Sequence, residues 1–195
     1  MVWKGTGAVI YRNKGAAMDG CIESERLKYR PIREEDTDMV LGWRNSRYVR
    51  DHFLYREYIS REEHLNWLKT RVYTGRVIQF VIEEKFTHKP IGSVYFRDMD
   101  TDSRTAEYGI FIGEESARGK GYGNETAAAM VDYFFNTLGY DRLLLRVLKN
   151  NIPAIKSYER AGFRQTDTAK DDIAGQSESG PEEIIFMEIN RNGEE

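Results

Sequence analysis

The chain has 195 residues, 40% of them hydrophobic and 12% aromatic, enough for one substantial core and too many for wholesale disorder. Its 29 lysines and arginines nearly balance 32 aspartates and glutamates, and the net charge of −3 excludes a nucleic-acid binder working through bulk positive charge. No apolar run approaches the ~18–20 residues of a membrane span. Positions 1–20 lack the compact apolar core of a secretory signal, and the single cysteine, Cys21, fits a reducing cytoplasm. His52, His64 and His88 have no zinc-like spacing with it, so no metal site is expected.

Residues 1–24 are weakly patterned and rich in Gly and Ala, an expected N-terminal extension to one domain over 25–195. Leu27 to Ile32 alternates as a strand, with Pro31 at its edge or end. Glu34-Glu35-Asp36 supplies first-turn acids ahead of Met39, Val40 and Trp43 at helical spacing. Ser60-Arg61-Glu62-Glu63 has the form of a capping box, followed by the stripe Leu65, Leu68, Val72. Spans 77–82, 91–96 and 104–112 are β-branched and aromatic with short connections, which predicts an antiparallel meander. A Gly-rich turn, Arg118 to Gly123, opens the strongest helix pattern, Ala127 to Leu138, with Gly139 beyond its end. Arg142 to Leu148 reads as a buried strand, 151–161 as a short helix ended by Gly162. Spans 163–166 and 184–189 read as a final strand pair joined by the polar stretch Thr168 to Glu183. Strand, turn, helix, strand in the centre requires a crossover to a parallel neighbour. The expected fold class is therefore mixed α/β around a single sheet.

Gly119-Lys120-Gly121-Tyr122-Gly123 lies between a strand and a long helix. Free N–H groups at a helix start and the positive dipole end suit phosphate, and glycines admit close approach. Arg118 and Lys120 add charge. The plainer reading is a tight turn with solvated basic residues. A Walker loop fails because Gly121 follows Lys120 where Ser or Thr is needed. A dinucleotide fingerprint fails because the spacing is G-x-G-x-G and a meander precedes it.

Arg118-x-x-Gly121-x-Gly123 resembles the [Gln/Arg]-x-x-Gly-x-[Gly/Ala] pyrophosphate loop of GNAT-type N-acetyltransferases. Asn151-x-x-Ala154-Ile155-x-x-Tyr158-x-x-Ala161-Gly162-Phe163 resembles that family's second motif, at the expected distance downstream. The resemblance spans about residues 26 to 163. It implies antiparallel strands followed by a parallel pair splayed around the cofactor, with acetyl-CoA as co-substrate. It further implies pyrophosphate on the amides of Arg118, Gly119, Lys120, Gly121, Tyr122, Gly123 and Asn124. Pantetheine would meet the backbone of Ile110, Phe111 and Ile112, Asn151 would help hold the cofactor, and Tyr158 would protonate the departing thiolate. By spacing alone, Tyr158 reads equally as a core tyrosine beside Ala154 and Ile155, and Asn151 as a helix N-cap.

An amine attacks a thioester only when neutral, so the reaction needs proton removal, an oxyanion donor and a proton for sulfur. Some relatives carry a glutamate five residues before the motif asparagine; here that position is Arg146. Glu107, sharing a strand face with Gly109 and Phe111, is the candidate base, against a solvated or salt-bridged carboxylate. His64 and a water chain are the alternatives. Trp43-Arg44-Asn45, Arg50 and Glu62-Glu63-His64 look similar to sugar-nucleotide amine acetyltransferases of the pseudaminic-acid pathway. The Gly-Ile-Phe-Ile-Gly stretch is similar also to spermidine and ribosomal-protein N-terminal acetyltransferases. The expected acceptor residues are Arg44, Arg50 and His64, with guanidinium forks meeting a nucleotide diphosphate, against a run of solvated arginines. The expected partner is a small-molecule amine, with no nucleic acid or membrane, and a homodimer is open. The rival class is a non-catalytic acyl-CoA-binding module.

Overall fold

The structure is a computed structural model that describes residues 22–167 and 183–191. Cys21, most of the expected extension and nearly all of the polar stretch before the last strand lie outside these residues. The strands are β1 (Ile22–Glu23), β2 (Leu27–Pro31), β3 (Ile78–Glu84), β4 (Pro90–Asp100), β5 (Thr105–Ile112), β6 (Arg142–Leu148), β7 (Arg164–Gln165) and β8 (Ile184–Asn190). The helices are α1 (Thr37–Arg44), α2 (Arg47–Asp51), α3 (Arg61–Trp67), α4 (Tyr122–Asp132) and α5 (Ile152–Arg160). They surround one mixed sheet in the order β1-β2-β3-β4-β5-β6-β8-β7, in which, among the described residues, only β5 and β6 run parallel. The strand alternation and the crossover through α4 are thus realised.

Two elements exceed the sequence expectation. Ile22–Glu23 pairs with β2, so the sheet begins inside the stretch expected as an extension. A separate short helix, α2, forms because Ser46 breaks from α1 and caps it, its Oγ accepting the Val49 N–H at 3.3 Å.

Strand alternation gives the sheet two faces. Leu27, Tyr29, Phe80, Val94, Phe96 and Leu143 point to the face covered by α4 and α5, where Ala127, Met130 and Phe134 are fully buried. Ile32, Val81 and Phe111 point to the other face and pack with Val40, Val49 and Leu68 from α1 to α3. The larger cluster fixes the sheet. The smaller one sets the helices across the opposite face and leaves a cavity beneath them.

The parallel pair is short. β5 and β6 pair only through Thr105–Arg142, Ala106–Leu143 and Glu107–Leu144, although β5 continues to Ile112 and β6 to Leu148. Beyond Glu107 the two strands splay.

Candidate active site

Hydrogen-bond parity along β5 shows what the splay exposes. The Gly113 N–H donates to Ile91 O on the β4 side, and Arg104 O accepts the Arg142 N–H on the β6 side. In an extended strand successive peptide groups point to opposite sides. The odd-numbered residues of β5 therefore turn their backbone groups toward β4, and the even-numbered ones toward β6. Past the last paired residue, Ile110 and Ile112 present N–H and C=O groups to the gap. Phe111, expected to offer its backbone there, spends it instead in the ladder opposite Ser93. Its side chain lines the wall on the α1–α3 face.

The Gly-rich turn sits at one end of the same gap. Gly119 and Gly121 have φ of +72° and +80°, the left-handed region that other residues enter at a cost. The first hydrogen bond of α4 runs from Glu125 N–H to Gly121 O at 3.1 Å, and Gly121, at the N-cap, has no side chain to cap the helix. The N–H groups of Tyr122, Gly123 and Asn124 thus lack partners within the helix. Their positive dipole end faces a cavity of about 810 Å³ lined by Gly119, Gly121, Gly123 and Asn124.

The side chains of the turn are mostly spent on holding it. Arg118 donates from Nη2 to Gly113 O at 2.7 Å and lies 3.6 Å from the Tyr48 ring centroid, so it ties the turn to α2 while still lining the cavity. Arg26 donates from Nη1 to Lys120 O at 3.0 Å and pairs with Glu125 at 2.7 Å. The Tyr122 hydroxyl is hydrogen-bonded to Glu84. Lys120 and Tyr122 lie off the cavity wall; what they can offer an anion there is backbone.

Asn151 and Tyr158 reach the cavity from α5. Asn151 is the N-cap, its Oδ1 accepting the Ala154 N–H at 3.3 Å. Tyr158 is buried, its ring set edge-on against Tyr108 and Phe163 at centroid distances of 6.0 and 5.9 Å. Its hydroxyl has no hydrogen-bond partner among the described residues. Burial raises the phenol pKa well above its ordinary value of 10.0, with the nearby Tyr95 adding to the shift. Tyr158 therefore stays protonated at neutral pH. It is core packing and cavity wall at once.

The four acceptor-side candidates, Glu107, Arg50, Arg44 and His64, stand in different settings. Glu107 shares its face with Gly109 and Phe111, yet both its oxygens are taken by guanidinium groups. Arg97 Nη2 lies 2.8 Å from Oε1, and Arg146 Nη2 lies 3.2 Å from Oε2, with Arg146 and Glu107 each 9% exposed. The salt-bridged reading describes it, not the free base. Arg50 is absent from the cavity wall, because its Nε donates to Arg56 O at 2.6 Å. Arg44 lines the cavity, donating from Nη2 to Tyr55 O and stacking 4.3 Å from the Phe53 ring centroid. Asn45 completes this set of clamps, bonding both N–H and C=O of Ile59 at 2.9 and 2.8 Å. The loop between α2 and α3 has no ladder of its own, so these side chains satisfy its backbone. His64 is buried on the wall with Nδ1 3.2 Å from Thr37 Oγ1, and burial, then the Arg61 charge, lowers its pKa.

Sequence reasoning missed Gln79, Tyr95 and Arg97, which all line the same face. Gln79 links Trp67 Nε1 to Ser93 Oγ through two bonds of 3.1 Å. Alternation placed these residues on one face of their strands; only the hairpin register brings them beside Gly109 and Glu107.

A mixed sheet split at its parallel pair, with a bare helix N-terminus beside the split, forms one cleft with backbone donors at one end and along one wall. Residues 26–164 match the acetyltransferase (GNAT) domain family, and the chain belongs to it. An uncharacterized protein of Methanocaldococcus jannaschii is 30% identical over 151 residues, 76% of this chain but only 30% of that protein's length. The acetyltransferase PseH of Campylobacter jejuni is 26% identical over 140 residues, covering 72% of this chain and 84% of PseH. In three dimensions the chain is similar to a spermidine N-acetyltransferase from Vibrio cholerae, solved with CoA and spermine. The TM-score is 0.73 at 21% identity, over 86% of this chain and 97% of that one. The family and its curated relatives make the chain an N-acetyltransferase.

Proposed function

We propose that this chain transfers the acetyl group of acetyl-CoA to a primary amine of a small phosphorylated molecule, an amino-sugar nucleotide being the best fit, by direct attack on the thioester. The observation that carries the donor is the continuity of one cavity from the bare amides of α4 to the unpaired peptide groups of Ile110 and Ile112. Acetyl-CoA supplies an activated acyl group and a thiolate leaving group. The amides of Gly121 to Asn124 are placed to bind its pyrophosphate, and the β5 groups its amide-bearing arm. An N–H of the splayed strand is available to an oxyanion. Tyr158, protonated and with no competing partner among the described residues, donates the proton that the departing sulfur requires.

The charge of the wall supports the acceptor class. Arg97 and Arg146 outnumber Glu107, and the only other carboxylate on the wall among the described residues, Glu63, closes a capping box with Ser60 at 2.7 Å. Neither carboxylate is left to meet the second ammonium of a polyamine. Cations on the wall instead favour phosphate and bias a bound amine toward its neutral, reactive form.

The test mixes purified protein and acetyl-CoA with a UDP-linked amino sugar, spermidine or an N-terminal peptide, and reads CoA thiol release. Release that requires the amino sugar and weakens with salt supports the full reading. Equal turnover of spermidine overturns the acceptor while keeping the transferase. Acetyl-CoA binding without release on any amine supports a non-catalytic module.

A further inference from the structure

The Tyr95 phenol is not accounted for by packing alone. On β4 it stands directly opposite Gly109 of β5. A Cβ at Gly109 would lie 2.2 Å from Tyr95 Cζ and 2.4 Å from its Oη, so the ring lies flat across β5 where the glycine leaves room. Pairing with β6 has ended two residues earlier, at Glu107. The hydroxyl therefore arrives at the mouth of the splay from the α1–α3 face, while Tyr158 reaches the cavity from α5. Tyr95 is half-buried and lines the cavity. Its hydroxyl has no hydrogen-bond partner among the described residues, although Arg97, Glu107, Arg44 and Arg146 all lie near enough to act on its charge. A hydroxyl with no hydrogen-bond partner among the described residues, on the wall of a cavity beside the splay, is open to a hydrogen bond from what occupies that cavity.

We infer that Tyr95 orients the acceptor amine: its phenol oxygen accepts one N–H of the incoming neutral amine and keeps the lone pair on the thioester carbon. The inference rests on the acetyl-transfer reading above. Burial keeps the phenol un-ionised at neutral pH, so Tyr95 takes no proton. The proton lost by the amine leaves to solvent, and Tyr158 supplies the one gained by sulfur. Two phenols thus serve the two sides of one thioester, the amine side and the sulfur side. Gly109 is part of the device, since any side chain there displaces the ring.

The experiment compares wild type, Tyr95→Phe, Gly109→Ala and the double variant, with whichever amine of the panel the wild type acetylates. Tyr95→Phe retains the ring and its packing on Gly109. It should lower kcat at least tenfold, with acetyl-CoA affinity and melting temperature unchanged and the shape of the pH profile preserved. Gly109→Ala should lower kcat similarly, and the double variant should be no worse than either, because both remove one placement of one hydroxyl. A Tyr95→Phe protein with kcat within twofold of wild type makes Tyr95 a packing residue and overturns the inference. A lost limb in its pH profile makes Tyr95 a proton acceptor and also overturns it. A wild type that neither binds acetyl-CoA nor releases CoA contradicts the underlying reading instead.

Discussion

Replacing Tyr158 by Phe separates its two roles, since the ring stays and only the hydroxyl goes. The contacts with Tyr108 and Phe163 are made by the ring, and the hydroxyl has no hydrogen-bond partner among the described residues. Removing it leaves no orphaned donor or acceptor behind, so stability should change by less than about 1 kcal/mol. A general acid contributes roughly 10²–10⁴-fold to rate, which corresponds to about 2.7–5.5 kcal/mol of transition-state stabilisation. kcat should therefore fall by at least two orders of magnitude while acetyl-CoA affinity holds. Burial raises the Tyr158 phenol pKa, which keeps the acid form present at neutral and mildly alkaline pH. The acid form is the active one, so wild-type kcat should not decline on the alkaline side until pH passes the ordinary phenol value of 10.0. Steady-state rates, an acetyl-CoA titration and a thermal melt on both proteins decide it. A Tyr158→Phe protein that melts several degrees lower and turns over normally would refute the reasoning.

Gly121→Val places a branched side chain at a left-handed position beside the cavity. The strain is about 1–2 kcal/mol, small enough for the fold to survive, while acetyl-CoA affinity measured by titration should fall at least tenfold, about 1.4 kcal/mol. His64 titrates less readily folded than unfolded, because burial lowers its pKa below 6.5. Its contribution to stability is complete above about pH 6.5 and is lost as pH falls through the lowered folded value. Melting temperatures across pH 5 to 8 should show a shallower acid loss for His64→Gln than for wild type, and parallel curves would contradict the assignment.

Local chemistry was legible in the sequence. The Ser60 capping box, the Asn151 cap, the strand alternation and the Gly-rich opening of α4 all follow from short spacings, and each is present. What stayed hidden depends on register or reach. Tyr95 and Gly109 meet only once the β4–β5 hairpin register is fixed. The triad of Arg97, Glu107 and Arg146 draws one residue from each of three strands, so no spacing announces it. Arg44 and Arg50 suggested phosphate by residue type, but long guanidinium arms serve loop carbonyls equally well, and the α2–α3 loop claims them. Backbone parity is equally invisible before strands pair. The motif spans Ile110 to Ile112 as a unit, whereas the pairing turns only alternate residues toward the gap.

That parity gives the most direct test of acetyl-CoA in the splay. Amide hydrogen exchange, followed residue by residue by NMR with and without acetyl-CoA, reads the backbone groups themselves. Exchange should slow at Ile110, Ile112, Gly123 and Asn124 on binding and stay unchanged at Phe111, whose N–H is already held by β4. Protection that leaves Ile110 and Ile112 untouched, or that falls at Phe111 instead, would contradict the placement of the donor between β5 and β6.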